Sequence, residues 1–103
     1  MAHPVAGDVD GNIARAATRL IELKRENPGY SVVAPWIFDV QAFDDSIPEL
    51  REEGLLRCME AIATCDELWI TGDEEAARAS EGIRREREHA YALGIPVREK
   101  YTS

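Results

Sequence analysis

The sequence predicts a three-layer α/β domain, flavodoxin- or Rossmann-like, with a short parallel four-stranded sheet of order 2-1-3-4, helices on both faces and a truncated first strand. Three observations carry that expectation. Short β-branched or apolar runs alternate with runs of helical periodicity. The connections between strands are long enough to be right-handed crossovers. At 103 residues the chain has room for one domain with one core, and a hydrophobic content of 45% is enough to fill it.

The first strand is expected over Met1 to Val5, with only Ala2, His3, Pro4 and Val5 to build it. Such a stub implies either a start upstream of Met1 or a neighbouring subunit that covers it. His3 is then a ligand-facing residue at a strand end, or simply a polar residue near a frayed terminus. A turn follows at Gly7-Asp8-Val9-Asp10-Gly11-Asn12 and leads into helical periodicity through Ile13, Ala16, Ala17, Leu20 and Leu23. A turn between strand and helix presents backbone N–H groups to anionic or sugar oxygens, which makes Gly7 a candidate for the binding site. Asp8 or Asp10 is suited to N-capping, whereas Asn12, on the shoulder of the buried stripe, is the better candidate for ligand contact.

Asn27-Pro28-Gly29 stops that helix, and Tyr30 to Ala34 reads as a second strand ended by Pro35. Trp36, Ile37, Phe38 and Phe43 form an aromatic-rich segment expected as a loop. Trp36 is suited to stacking on a base or, as is commoner for an aromatic, to filling the core. A helix over about Pro48 to Thr64 is expected to bury Ile47, Leu50, Gly54, Cys58, Ala61 and Ile62. Arg51 falls in the same sector, where it can meet Glu86, a substrate phosphate, or one of Glu49, Glu52 and Glu53. Leu56 and Met59 lie outside that stripe, an apolar surplus that suggests a subunit contact.

The run from Cys65 to Val97 carries most of the chemistry. It reads as a buried strand over Glu67 to Thr71, a turn at Gly72-Asp73, a short acidic loop, a helix opening at Ser80-Glu81-Gly82, and a last strand from Ile95. At about 100° per residue, Ala79, Ile83, Ala90 and Leu93 share one stripe of the helix, and Glu86 falls in its middle. Burying an ionised carboxylate without partners costs several kcal/mol. Glu86 is therefore either a chemical group or a carboxylate solvated, or paired with an arginine, where the stripe runs out.

The stretches CDELWITGD, SEGIRRE and HAYALGIPV resemble the C-terminal half of the nucleoside 2-deoxyribosyltransferase-like superfamily, particularly its small, often phage-encoded members of uncharacterised function. The resemblance extends through Ala2-His3-Pro4-Val5, Gly7-Asp8, Asn12, Ala34-Pro35-Trp36 and Pro48 to Gly54. It implies that Glu86 stands at the place of the nucleophile that attacks the sugar C1′. It also implies dimers or larger assemblies with sites near subunit interfaces, and an aspartate near the position that Cys58 occupies here. The expected activity is transfer or hydrolysis of an N-glycosidic bond, with Glu86 and Asp73 catalytic. Binding falls to His3, Gly7, Asn12, Trp36, Arg51, Gly72, Ser80 and Gly82. The alternative is a protein that binds a nucleotide derivative without turning it over.

Charge and composition narrow the partners. A net charge of -8 and a pI near 4.7 argue against binding a nucleic acid polymer, which needs clustered Lys and Arg. A nucleoside or nucleotide monomer needs only one or two donors. No apolar run approaches the roughly 18 residues of a membrane span, and no GxGxxG or metal-ligand spacing implies a tightly held cofactor or metal. Cys58 and Cys65, if on one helix, would lie about 10 Å apart, too far to bridge. Free thiols point to a reducing cytoplasm.

Overall fold

The strand β1, Leu68–Gly72, is buried at every position and organises the chain. The computed structural model describes residues 1–102. In chain order the remaining elements are α1 (Val9–Glu26), α2 (Trp36–Ala42), α3 (Pro48–Ala63), α4 (Glu74–Ala79), α5 (Glu81–Ala92) and β2 (Val97–Tyr101). β1 and β2 pair in parallel, from Leu68 opposite Val97 to Gly72 opposite Tyr101.

The expected four-stranded, three-layer sheet is not what forms. Five helices surround a two-stranded parallel sheet, giving a helix-rich mixed domain. Along the expected first strand only Ala2 bridges to Ile70. Its N–H donates to Trp69 O at 2.7 Å and its carbonyl accepts from Thr71 N–H at 2.8 Å. The pairing stops there because Pro4 has no N–H to continue a ladder. Tyr30 to Ala34, for all its β-branched residues, has no ladder to join. It is held instead by the Met1 amino group, which donates to Val33 O, and by Lys24 Nζ, which donates to Val32 O.

Two expected loops are helices. Trp36–Ala42 forms α2 because Pro35 fixes φ at the helix start and Trp36 and Ile37 bury against Ile13, Ala16 and Ala34. The acidic stretch after Gly72 forms α4, capped by the Asp73 carboxylate, which accepts from Ala76 N–H at 2.9 Å. Two boundaries also shift. The last strand begins at Val97 rather than Ile95, and Cys65 lies beyond the α3 C-cap Thr64, so it does not share a helix with Cys58. Both cysteines are free thiols.

The first helix follows its periodicity. Ile13, Ala16 and Leu23 are buried, and Asp8 is the N-cap, accepting from Gly11 N–H. α5 buries Ile83 and Ala90 beside Ile70 and Leu68, with Ser80 as N-cap. The expected α3 stripe is covered only at Ile62; Leu50, Gly54, Cys58 and Ala61 are half-buried and Ile47 is 41% exposed. That uncovered face borders a cleft.

Gly72 ends β1 with φ +87°, and a Cβ there would lie 2.8 Å from Pro4 Cδ. Gly72→Ala is therefore expected to lower unfolding stability by at least about 2 kcal/mol in urea titrations, through backbone strain and contact with Pro4 together.

Candidate functional site

A cleft of about 640 Å³ opens between the segment His3 to Val9, α2, α3 and the first half of α5. Its size is that of small-molecule sites. Its position follows from the chain path. β1 and the Ala2 bridge end together beside the cleft, and both α3 and α5 turn their first halves toward it. In parallel α/β arrangements the carboxyl ends of strands are where ligands collect.

Glu86 lines this cleft from the second turn of α5. It is half-buried, and among the described residues no donor reaches its carboxylate. Desolvation raises its pKa to about 7, and the Met1 amino group offsets this only in part. The arginine pairing open to it in the sequence does not occur. Arg85 instead clamps Glu52 of α3 with two bonds of 2.8 and 2.9 Å, and Arg84 holds Glu88.

Cys58 shares the cleft, and burial, with the Glu86 charge second, pushes its thiol up to about 12. It is a neutral S–H at any ordinary pH and a weak donor. His3 is buried at the cleft edge, and burial lowers its pKa. Its Nδ1 donates to Pro4 O at 2.8 Å. Burial favours the neutral ring, and in that form the bond to a carbonyl, which only accepts, puts the proton on Nδ1 and leaves Nε2 as an acceptor.

The remaining predicted site residues divide. Trp36, Arg51, Ser80 and Gly82 line the cleft with Glu86 and His3. Trp36 is mostly core, its Nε1 donating to Met1 O at 2.8 Å. Ser80 Oγ accepts from Ile83 N–H at 3.2 Å, and above Gly82 an added Cβ would meet only that Oγ, at 3.9 Å. Arg51 is exposed at the rim rather than turned inward. Gly7, Asn12, Gly72 and Asp73 are not among the lining residues. Asn12 Nδ2 donates to Val5 O and Ala6 O while its Oδ1 accepts from Arg15, so its polar atoms hold the turn together. Asp73 is spent on the α4 cap, and Gly72 packs under His3.

A family model described as "Domain of unknown function (DUF7768)" matches residues 1–100. The chain belongs to that family. No curated protein and no solved structure matches it.

The DUF7768 cleft also contains residues that the sequence did not single out. Arg57 Nε donates to Asp39 at 3.1 Å, and its guanidinium lies 4.8 Å from the centre of the Phe43 ring. Recognising α2 as a helix would have placed Asp39 on the side of α3. Arg85 was open to inference from the helical wheel, since it sits about 100° round from Glu86 and so at the cleft's edge. No helix among the described residues is long and apolar enough to cross a membrane.

The Glu86 shift has a consequence for stability. With its folded pKa raised, the native state binds a proton that the unfolded chain has already released between about pH 4.5 and 7. Stability from this group is therefore full below pH 4.5 and is lost as pH rises through 7. Glu86→Gln is expected to unfold later than wild type at pH 8, by roughly 2–3 kcal/mol, and by little at pH 4.5. Paired urea titrations at the two pH values cancel the contributions of the other carboxylates and measure this difference.

Proposed function

We propose that this DUF7768 domain breaks or transfers the N-glycosidic bond of a nucleoside or nucleotide, with Glu86 as the nucleophile. The observation that carries the reading is the Glu86 carboxyl, which borders a ligand-sized cleft, has no protein partner and titrates near 7. The resemblance to the nucleoside 2-deoxyribosyltransferase-like superfamily supports the same residue. In the first step a Glu86 oxygen bonds to the sugar C1′ as the C–N bond breaks, and the departing base keeps the bonding pair. In the second step water or another base attacks C1′, gives up its proton to solvent and frees the carboxylate. Water gives hydrolysis and a base gives transfer. Asp73 caps α4, so the departing base takes its proton from solvent in the cleft.

Only the ionised carboxylate attacks, so base release should rise with pH through about 7 and then level. Glu86→Ala and Glu86→Gln should each abolish release of base from a 2-deoxynucleoside or its monophosphate, followed by chromatography. Wild type quenched during turnover should carry a sugar adduct on Glu86 by mass spectrometry. Release by Glu86→Ala at the wild-type rate would make the carboxylate structural.

The second reading is a protein that binds a nucleotide derivative and leaves it intact. It is favoured by the outward placement of Asp73 and by the neutral Cys58 thiol where the resemblance implies an aspartate. Ligand recovered unchanged after denaturation of the complex would support it.

The free thiols suit a reducing cytoplasm. Phe38, at 75% exposed, with Phe43, Ile47 and Leu56, leaves more apolar surface around α2 and α3 than a small monomer usually shows. A second copy is the proposed cover, as a homodimer or larger homo-oligomer. Light scattering at micromolar concentration should give at least twice the chain mass, and Phe38→Glu should reduce it toward the monomer.

A further inference from the structure

Of the three arginines that line the cleft, Arg51, Arg57 and Arg85, Arg51 alone holds no carboxylate among the described residues. Most arginines hold a carboxylate within salt-bridge distance, including Arg57, Arg84, Arg85 and Arg87. Arg51 makes no ion pair among the described residues, although Glu49, Glu52 and Glu53 flank it in sequence. The reason is helical spacing: those three glutamates stand one or two residues away and point elsewhere, while three and four residues away stand Ile47, Pro48, Gly54 and Leu55. Glu52 is in addition drawn across to α5 by the bidentate bond to Arg85. The other charges around the cleft are largely neutralised as well, Asp39 by Arg57 and Glu81 by Arg84 at 3.6 Å. Asp45 is exposed to solvent, where its field is screened.

The cleft is therefore bipolar. An unpaired guanidinium lies at the rim, and a carboxyl without donors lies further in. A ligand that satisfies both carries an anion at one end and a sugar or other donor-bearing group at the other. We infer that Arg51 anchors a phosphate, and that the cleft takes a 2-deoxynucleoside 5′-monophosphate in preference to the free nucleoside. This rests on the glycosidic reading for the sugar and base, and on Arg51 alone for the phosphate. A protein of net charge -8 repels a dianionic ligand at long range, so a local cation left free by its neighbours is what such a ligand requires. The planar guanidinium matches phosphate oxygens two at a time.

Calorimetric titration of the full chain carrying Glu86→Gln, which prevents turnover, tests the assignment with 2′-deoxyadenosine and its 5′-monophosphate. The monophosphate should bind at least about tenfold more tightly, the usual value of a charge-assisted pair. Adding Arg51→Gln should remove the preference and leave affinity for the nucleoside unchanged. Arg25→Gln, an exposed arginine of α1 away from the cleft, should change neither. Equal affinity for the two ligands, a preference that survives Arg51→Gln, or no binding of the monophosphate at millimolar concentration would each overturn the inference. If wild type releases base equally well from both compounds, the phosphate anchor is wrong and the glycosidic reading stands. If the monophosphate binds through Arg51 yet is never cleaved, the anchor stands and the glycosidic reading falls.

Discussion

The burial of β1 on all sides is the constraint from which the rest of the structure follows. With only β2 as a full partner and Ala2 as a single bridge, this strand has little sheet to shelter it. Leu68, Ile70 and Trp69 must be covered by helices and by irregular chain, and they are: Ala77, Ile83 and Ala90 close on Ile70 and Leu68, while Leu23 and Val32 close on Trp69. Apolar burial at about 25 cal/mol per Å² favours this wrapping. It also uses up the inner faces of α1 and α5, which leaves α3 anchored inward chiefly through Ile62. The cleft is the space left between α3 and the layer that serves β1.

The same arrangement explains the Glu86 environment. Ile83 and Ala90 seat α5 on the sheet, and Glu86 lies between them in sequence, turned toward the gap rather than the strand. A carboxylate there loses much of its hydration without gaining a bond, and its pKa rises for that reason. The cost falls on the folded state at neutral pH. The adjacent Arg85 points round the helix to Glu52, where its ion pair ties α5 to α3, and among the described residues no arginine relieves Glu86.

Local signals in the sequence were read well where one physical effect dominated. The α1 stripe, the start of α5 at Ser80, the buried strand β1 and the odd position of Glu86 each follow from periodicity or helix-start signals. The sheet was not legible, because strand character is a property of pairing as much as of residues. Tyr30 to Ala34 has the composition of a strand and no ladder to enter, and Pro4 ends the pairing that Ala2 begins. α2 and α4 are hidden for a related reason: α4 is six residues long and α2 seven, too short for periodicity to register. Proline, Asp73 and tertiary burial decide them.

Of the candidate site, the residues placed by helix geometry came together and those placed by turn chemistry did not. Glu86, Ser80, Gly82 and Arg51 reach the cleft because they occupy the first halves of two packed helices. Gly7, Asn12, Gly72 and Asp73 stand where a strand or turn gives way to a helix, and there an Asp, Asn or Gly serves the backbone at least as readily as a ligand. Asn12 and Asp73 each satisfy backbone groups that would otherwise be unpaired, and Gly72 supplies the positive φ that lets β1 end beneath His3. A polar side chain at the start of a helix has unpaired backbone groups within reach, whereas one further along its inner face has none, because there the helix has already paired its own amides. That difference is why the unpaired Glu86 carboxyl is more informative about chemistry here than Asn12 and Asp73 at the starts of α1 and α4.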